Sequence, residues 1–136
     1  MLRKLCYLTI AVICSSCSTS SSPATNLHST GQACLKRAEA WLANPADKQK
    51  LKQALTSAKE ANAEIATTKT TEPKAIIADL ELLQGALNMA QMEVNDGRDP
   101  TGPSSFSEFS AANAVTNAVE QLRTDLTNRG NTPTNP

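Results

Sequence analysis

From Gln32 to Asn44 the apolar positions Cys34, Leu35, Ala38, Trp41 and Leu42 recur three and four residues apart. That spacing lines one face of an α-helix. Ser29 or Thr30 can cap its start. Pro45 predicts its end near Asn44, because proline disfavours helical backbone in the residue before it. Asn44 and Pro45 then suit the start of a second helix, cap followed by proline, with Asp47 favourable near the positive helix end. Its apolar face runs Leu51, Ala54, Leu55, Ala58, Ala61 and Ile65, opposite Lys48, Lys52, Lys59, Glu60 and Glu64. The β-branched, polar "TTKTT" at residues 67–71 predicts its termination.

A third helix is predicted after Pro73. There Ile76, Leu80, Leu83, Leu87, Ala90 and Val94 alternate four and three apart for nearly three heptads. Gly97 stands where a left-handed residue closes a helix. Gly85, inside the pattern, costs up to about 1 kcal/mol relative to alanine, and close approach of a neighbouring helix is one reason to keep it. "DGRDPTGPS" then breaks the periodicity with two prolines and two glycines and reads as a loop. "SFSE" at Ser105–Glu108 has the form of a capping box and predicts a fourth helix. Its face is Phe109, Ala112, Val115, Val119, Leu122 and Leu126, and Gly130 is its expected stop.

Amphipathic segments with short connections and no strand-like alternation predict an all-α fold. The expected architecture is a small antiparallel bundle of three to four helices over residues 30–130, with a disordered tail at 131–136.

The pattern before residue 30 is different. "MLRKLCYLTIAVIC" has a basic start and an apolar run from Leu5 to Cys14, followed by the small residues "SSCSTSSS". This is the three-part layout of a secretory signal. The apolar run is about ten residues, half of what a membrane-spanning helix needs. "CSSC", residues 14–17, resembles the bacterial lipoprotein signal, in which small residues precede a cysteine that becomes the first residue after cleavage. Ser15 and Ser16 precede Cys17, and Cys14 occupies a place where the family favours leucine or another aliphatic residue. The resemblance covers residues 1–18. It implies a signal peptide at 1–16, lipidation of Cys17 and a bacterial cell-envelope location. Ser18 is compatible with the periplasmic face of the outer membrane in a Gram-negative cell. The alternative is an ordinary signal cleaved near Ser16 or Ser18, leaving Cys17 as a thiol. A thiol can carry a thioether-linked diacylglyceryl group, and several acyl chains at about 0.8 kcal/mol per methylene hold a protein at a membrane. Residues 17–29, rich in Ser, Thr and Pro, read as a flexible tether, with His28 inside it.

Charge excludes one class of partner. The chain has 13 basic and 13 acidic residues, and losing Arg3 and Lys4 with the signal leaves 11 against 13, a net of −2. Nucleic acid wants a clustered basic face, which is absent, and aromatic residues at 3% supply no stacking platform. With Cys6 and Cys14 gone and Cys17 acylated, Cys34 is the one free thiol. It can cross-link two copies in an oxidising compartment or serve as a small buried hydrophobe, and its place on an apolar stripe favours burial.

No cofactor, metal or catalytic site is expected. One histidine cannot make a zinc site or a convincing triad, and no phosphate loop or nucleophile elbow occurs. Asp96 and Asp99 do not match calcium-loop spacing, and no glutamate closes such a loop. Asp79 and Glu81 lie two apart and do not share a helix face, while Glu60 and Glu64 share a solvated one. A tetratricopeptide-type repeat is disfavoured, because no 34-residue self-similarity is present. The expected function is a membrane-tethered structural or protein-interaction module with an envelope protein as partner. The alternative is a lysis, exclusion or accessory lipoprotein of a phage or plasmid.

Overall fold

The computed structural model describes residues 23–67, 73–104 and 108–131. Cys6, Cys14, Cys17 and Ser18, the residues of the signal and lipidation reading, lie outside them, as do Ser105–Ser107 and residues 132–136. Four helices follow in order: α1 (Pro23–Leu42), α2 (Lys48–Thr67), α3 (Lys74–Asn95) and α4 (Ala111–Asn131). No strand occurs among the described residues. Each helix packs on two others, in the ring α1–α2–α3–α4–α1. Contacts between Thr30 and Glu64 and between Cys34 and Ser57 run in opposite directions along α1 and α2. The architecture is therefore the all-α antiparallel bundle that the periodicity predicts.

The predicted apolar faces meet in one core. Trp41, Leu51, Leu80, Leu83, Leu87, Val115 and Leu122 are all fully buried. Alanines 38, 54, 58, 61, 86 and 90 fill the space between them, which lets the helix axes come close. Ile65 and Val94, expected in the core, are half-buried at its edges.

Helix ends differ from expectation in several places. Helix α1 starts at Pro23 rather than at Ser29 or Thr30, so residues 23–29 of the predicted tether have helical backbone. Proline is well suited to the first turn, where its missing N–H would have no partner. Helix α1 stops at Leu42, and the α1–α2 turn is closed by Asp47 N–H donating to the Asn44 carbonyl at 3.0 Å. Asp47, not Asn44, caps α2: its Oδ1 accepts from the backbone N–H groups of Gln49 and Lys50 at 3.0 and 3.1 Å. Ser110 likewise caps α4, its Oγ accepting from Asn113 N–H at 3.1 Å. The predicted cap at Ser105 would start the helix one turn and a half too early. Phe109, predicted to be core, precedes the helix and is 69% exposed. Gly130 does not stop α4, which runs through it to Asn131.

Gly97 behaves as predicted. Its φ is +74°, its N–H donates to Val94 O, and Arg98 N–H donates to Glu93 O at 2.8 Å. These paired bonds make a Schellman closure. Gly97→Ala should cost about 1–2 kcal/mol, because a Cβ at that φ crowds the backbone. A urea-denaturation midpoint unchanged by this substitution would contradict the closure. Gly85 differs from its expected role. It is exposed, and an added Cβ there would meet nothing within 4 Å, so no helix of the bundle approaches it. The close approach occurs at Gly31 instead, where a Cβ would lie 3.5 Å from Leu126.

Candidate functional site

Three polar features break the apolar bundle. The first is built on Cys34. Helix α1 turns its thiol into the α1–α2 seam, where Sγ donates to the Ser57 carbonyl at 3.1 Å. Ser57 is itself buried, and its hydroxyl takes a hydrogen bond from the Arg37 guanidinium. Burial pushes the Cys34 thiol up to about 11, despite the opposing charge of Arg37. A protonated, buried thiol is a poor nucleophile. Cys34 should resist alkylation in the native protein and react once urea unfolds it. Native labelling as fast as that of a free thiol would contradict this placement. A disulfide dimer through Cys34 requires the seam to open first.

The second feature joins α3 and α4. Asp79, in the second turn of α3, is 3% exposed and faces the Asp125 carboxyl on α4. Its Oδ2 is buried without a partner. Desolvation first, then the Asp125 hydrogen bond and charge, raise Asp79 to about 6. Nearby, Asn62 Nδ2 donates to Leu80 O and Gln84 Oε1, and its Oδ1 is also buried without a partner.

The third feature lies at the bundle end, where the α1–α2 turn meets the connection after α3. Asn44, Pro45, Lys48, Arg98, Asp99 and Thr101 line an open cleft of ≈ 540 Å³. Its Arg98 and Asp99 are engaged locally. Arg98 lies 3.5 Å from buried Glu93 and 3.9 Å from Asp96. Glu93 also accepts from Ser104 Oγ at 2.9 Å, tying the connection back to α3. Asp99 accepts from Thr101 N–H and Oγ1, which holds its carboxyl below the usual range. Pro100 O accepts from Ala112 N–H, stitching the same segment to α4. The cleft is thus a structured joint that organises its own backbone.

None of these features unites a nucleophile with a base. Among the described residues no group of three or more His, Cys, Asp or Glu could hold a metal ion. Asp96 and Asp99 are used in the joint. Of the carboxylates considered from sequence, Glu60 is exposed and Glu64 accepts from Thr30 Oγ1 at 3.3 Å. Asp79 pairs with Asp125 rather than with Glu81, which is exposed. The heptad register carried the missed signal. Asp79 and Glu93 fall on the steps Ile76, Asp79, Leu83, Ala86, Ala90 and Glu93, which is the buried face.

Compared with protein-family models, curated proteins and solved structures, the chain matches none of them.

Proposed function

We propose that this chain is a bacterial envelope lipoprotein, held to a membrane by acylation of Cys17, whose helical domain is a non-catalytic interaction module. One observation carries the reading: an apolar run of signal length ends in "SSC", with the cysteine where a diacylglyceryl thioether would form. Among the described residues no helix is long and apolar enough to cross a membrane. A further feature supports the reading. The four apolar faces close on one another, which leaves the domain able to fold away from lipid. The partner would be another protein, met through the outer helix faces.

Metabolic labelling with a fatty-acid analogue tests the anchor. The wild-type chain should take up label, and Cys17→Ala should lose essentially all of it while keeping its signal uncleaved. Label retained in Cys17→Ala, or a wild-type chain without label, would overturn the proposal.

A further inference from the structure

Helix α3 carries a second periodic stripe that the bundle leaves largely uncovered. Ala75, Ala78, Leu82, Gly85, Met89 and Met92 recur at steps of three, four, three, four and three. The core seam of the same helix, centred on Leu80, Leu83 and Leu87, lies on a different face. None of the six residues is charged. Leu82 and Met92 are 53% and 51% exposed, Ala75, Ala78 and Gly85 are exposed, and only Met89 leans on the core. Two large apolar side chains held in water on one heptad face represent surface that burial would stabilise.

A strict seven-residue repeat suits a partner that is itself a helix, packed along the stripe as in a coiled coil. The sizes of the six residues identify which helix. In an antiparallel copy of α3 centred between Leu82 and Gly85, Ala75 meets Met92, Ala78 meets Met89, and Leu82 meets Gly85. Every layer then pairs one large side chain with one small one, as close packing requires. The open space over Gly85 receives Leu82 of the other copy. A parallel copy would set Gly85 against Gly85 and Ala against Ala, leaving voids beside stacked methionines. The flanks agree, because the antiparallel register sets Glu81 near Asn88 and Lys74 near Asn95, so no like charges meet.

We propose that this outer stripe of α3 binds a second copy of the chain, antiparallel about a two-fold axis between Leu82 and Gly85. The arrangement is isologous, each stripe serving as both ridge and groove. From Ala75 to Met92 the stripe is about 26 Å long. One helix face of that length buries less than the roughly 800 Å² per partner of a stable complex, so the dimer is weak and reversible. The proposal deepens the interaction-module reading by naming a partner. Self-association and acylation are read separately, so either can fail without the other.

Sedimentation equilibrium of the purified full chain, with reductant and from micromolar to millimolar concentration, tests it. A monomer–dimer equilibrium is expected. Leu82→Lys, and independently Ala78→Lys, should weaken it by about tenfold or more while leaving the helical circular dichroism unchanged. Orientation is read by oxidising a mixture of Ala75→Cys and Met92→Cys chains and mapping linked peptides by mass spectrometry. A disulfide between positions 75 and 92 supports the antiparallel register. A monomer at every concentration, an association unmoved by both lysine variants, or linkage of 75 to 75 would overturn the proposal.

Discussion

Trp41→Ala should destabilise the bundle by about 3–5 kcal/mol, the range for removing a fully buried large aromatic side chain. The indole is completely buried where α1 turns into α2, and its Nε1–H donates to Pro45 O at 3.2 Å. Its neighbours in the core are largely alanine and leucine, so the cavity would be lined by side chains too short to fill it. The loss is a large part of the roughly 5–15 kcal/mol that holds a typical domain together. Urea unfolding followed by circular dichroism should therefore show a much lower midpoint, or no folded baseline. Leu83→Ala, which removes one fully buried leucine from the α3 seam, should cost about 2–5 kcal/mol. Glu81→Ala, two residues away and exposed, should change stability by under about 0.5 kcal/mol. A Trp41→Ala loss below about 1 kcal/mol would place the indole outside the core.

Asp79 should make the protein more stable as the pH falls from neutral, against the usual trend for paired carboxylates. Its folded-state value is raised from 3.8 to about 6, so folding favours the protonated form. That contribution is complete below about pH 3.8 and is lost as the pH climbs through about 6. At neutral pH the carboxyl must either ionise beside Asp125 or retain a proton against the solvent. The rise from 3.8 to about 6 sets a ceiling of about 3 kcal/mol, and water at the half-buried Asp125 lowers it. Asp79→Asn keeps a hydrogen-bond donor toward Asp125 and removes the charge. It should raise stability by about 1–2 kcal/mol near pH 7.5 and flatten the difference between about pH 5 and pH 7.5. The measurement is the urea midpoint of both chains at the two pH values. A wild-type protein less stable at the lower pH, or an Asn variant with unchanged pH dependence, would contradict a raised Asp79 carboxyl.

The helical content and most core positions are legible in the sequence. Leu51, Ala54, Ala58, Ile76, Leu80, Leu83, Val115 and Leu122 are buried where their spacing placed them. Gly97 closes α3 with the left-handed backbone its position implied. These features depend on the 3.6-residue period and on local backbone preferences, both of which are written along the chain. Helix starts were harder to read. Asn44 and Asp47, or Ser105 and Ser110, are equally able to cap, and only the angle at which the next helix meets the core selects between them. Pro23 opened α1 seven residues ahead of Thr30 in a stretch whose composition resembles a linker.

The polar pair was beyond reach for a different reason. Asp79 sits in the buried heptad register, which shows that it is covered but not by what. Asp125 lies on another helix, and a one-dimensional pattern carries no information about which helix faces which. That choice is made by the ring order of the four helices, through side-chain volumes and connection lengths. Periodicity along the chain thus determined which face of each helix is dry. Only the assembled bundle decided that Cys34 meets Ser57, that Asp79 faces Asp125, and that most of the second stripe of α3 stays exposed. Those are contacts between elements, and their free energies exist only once the elements are brought together.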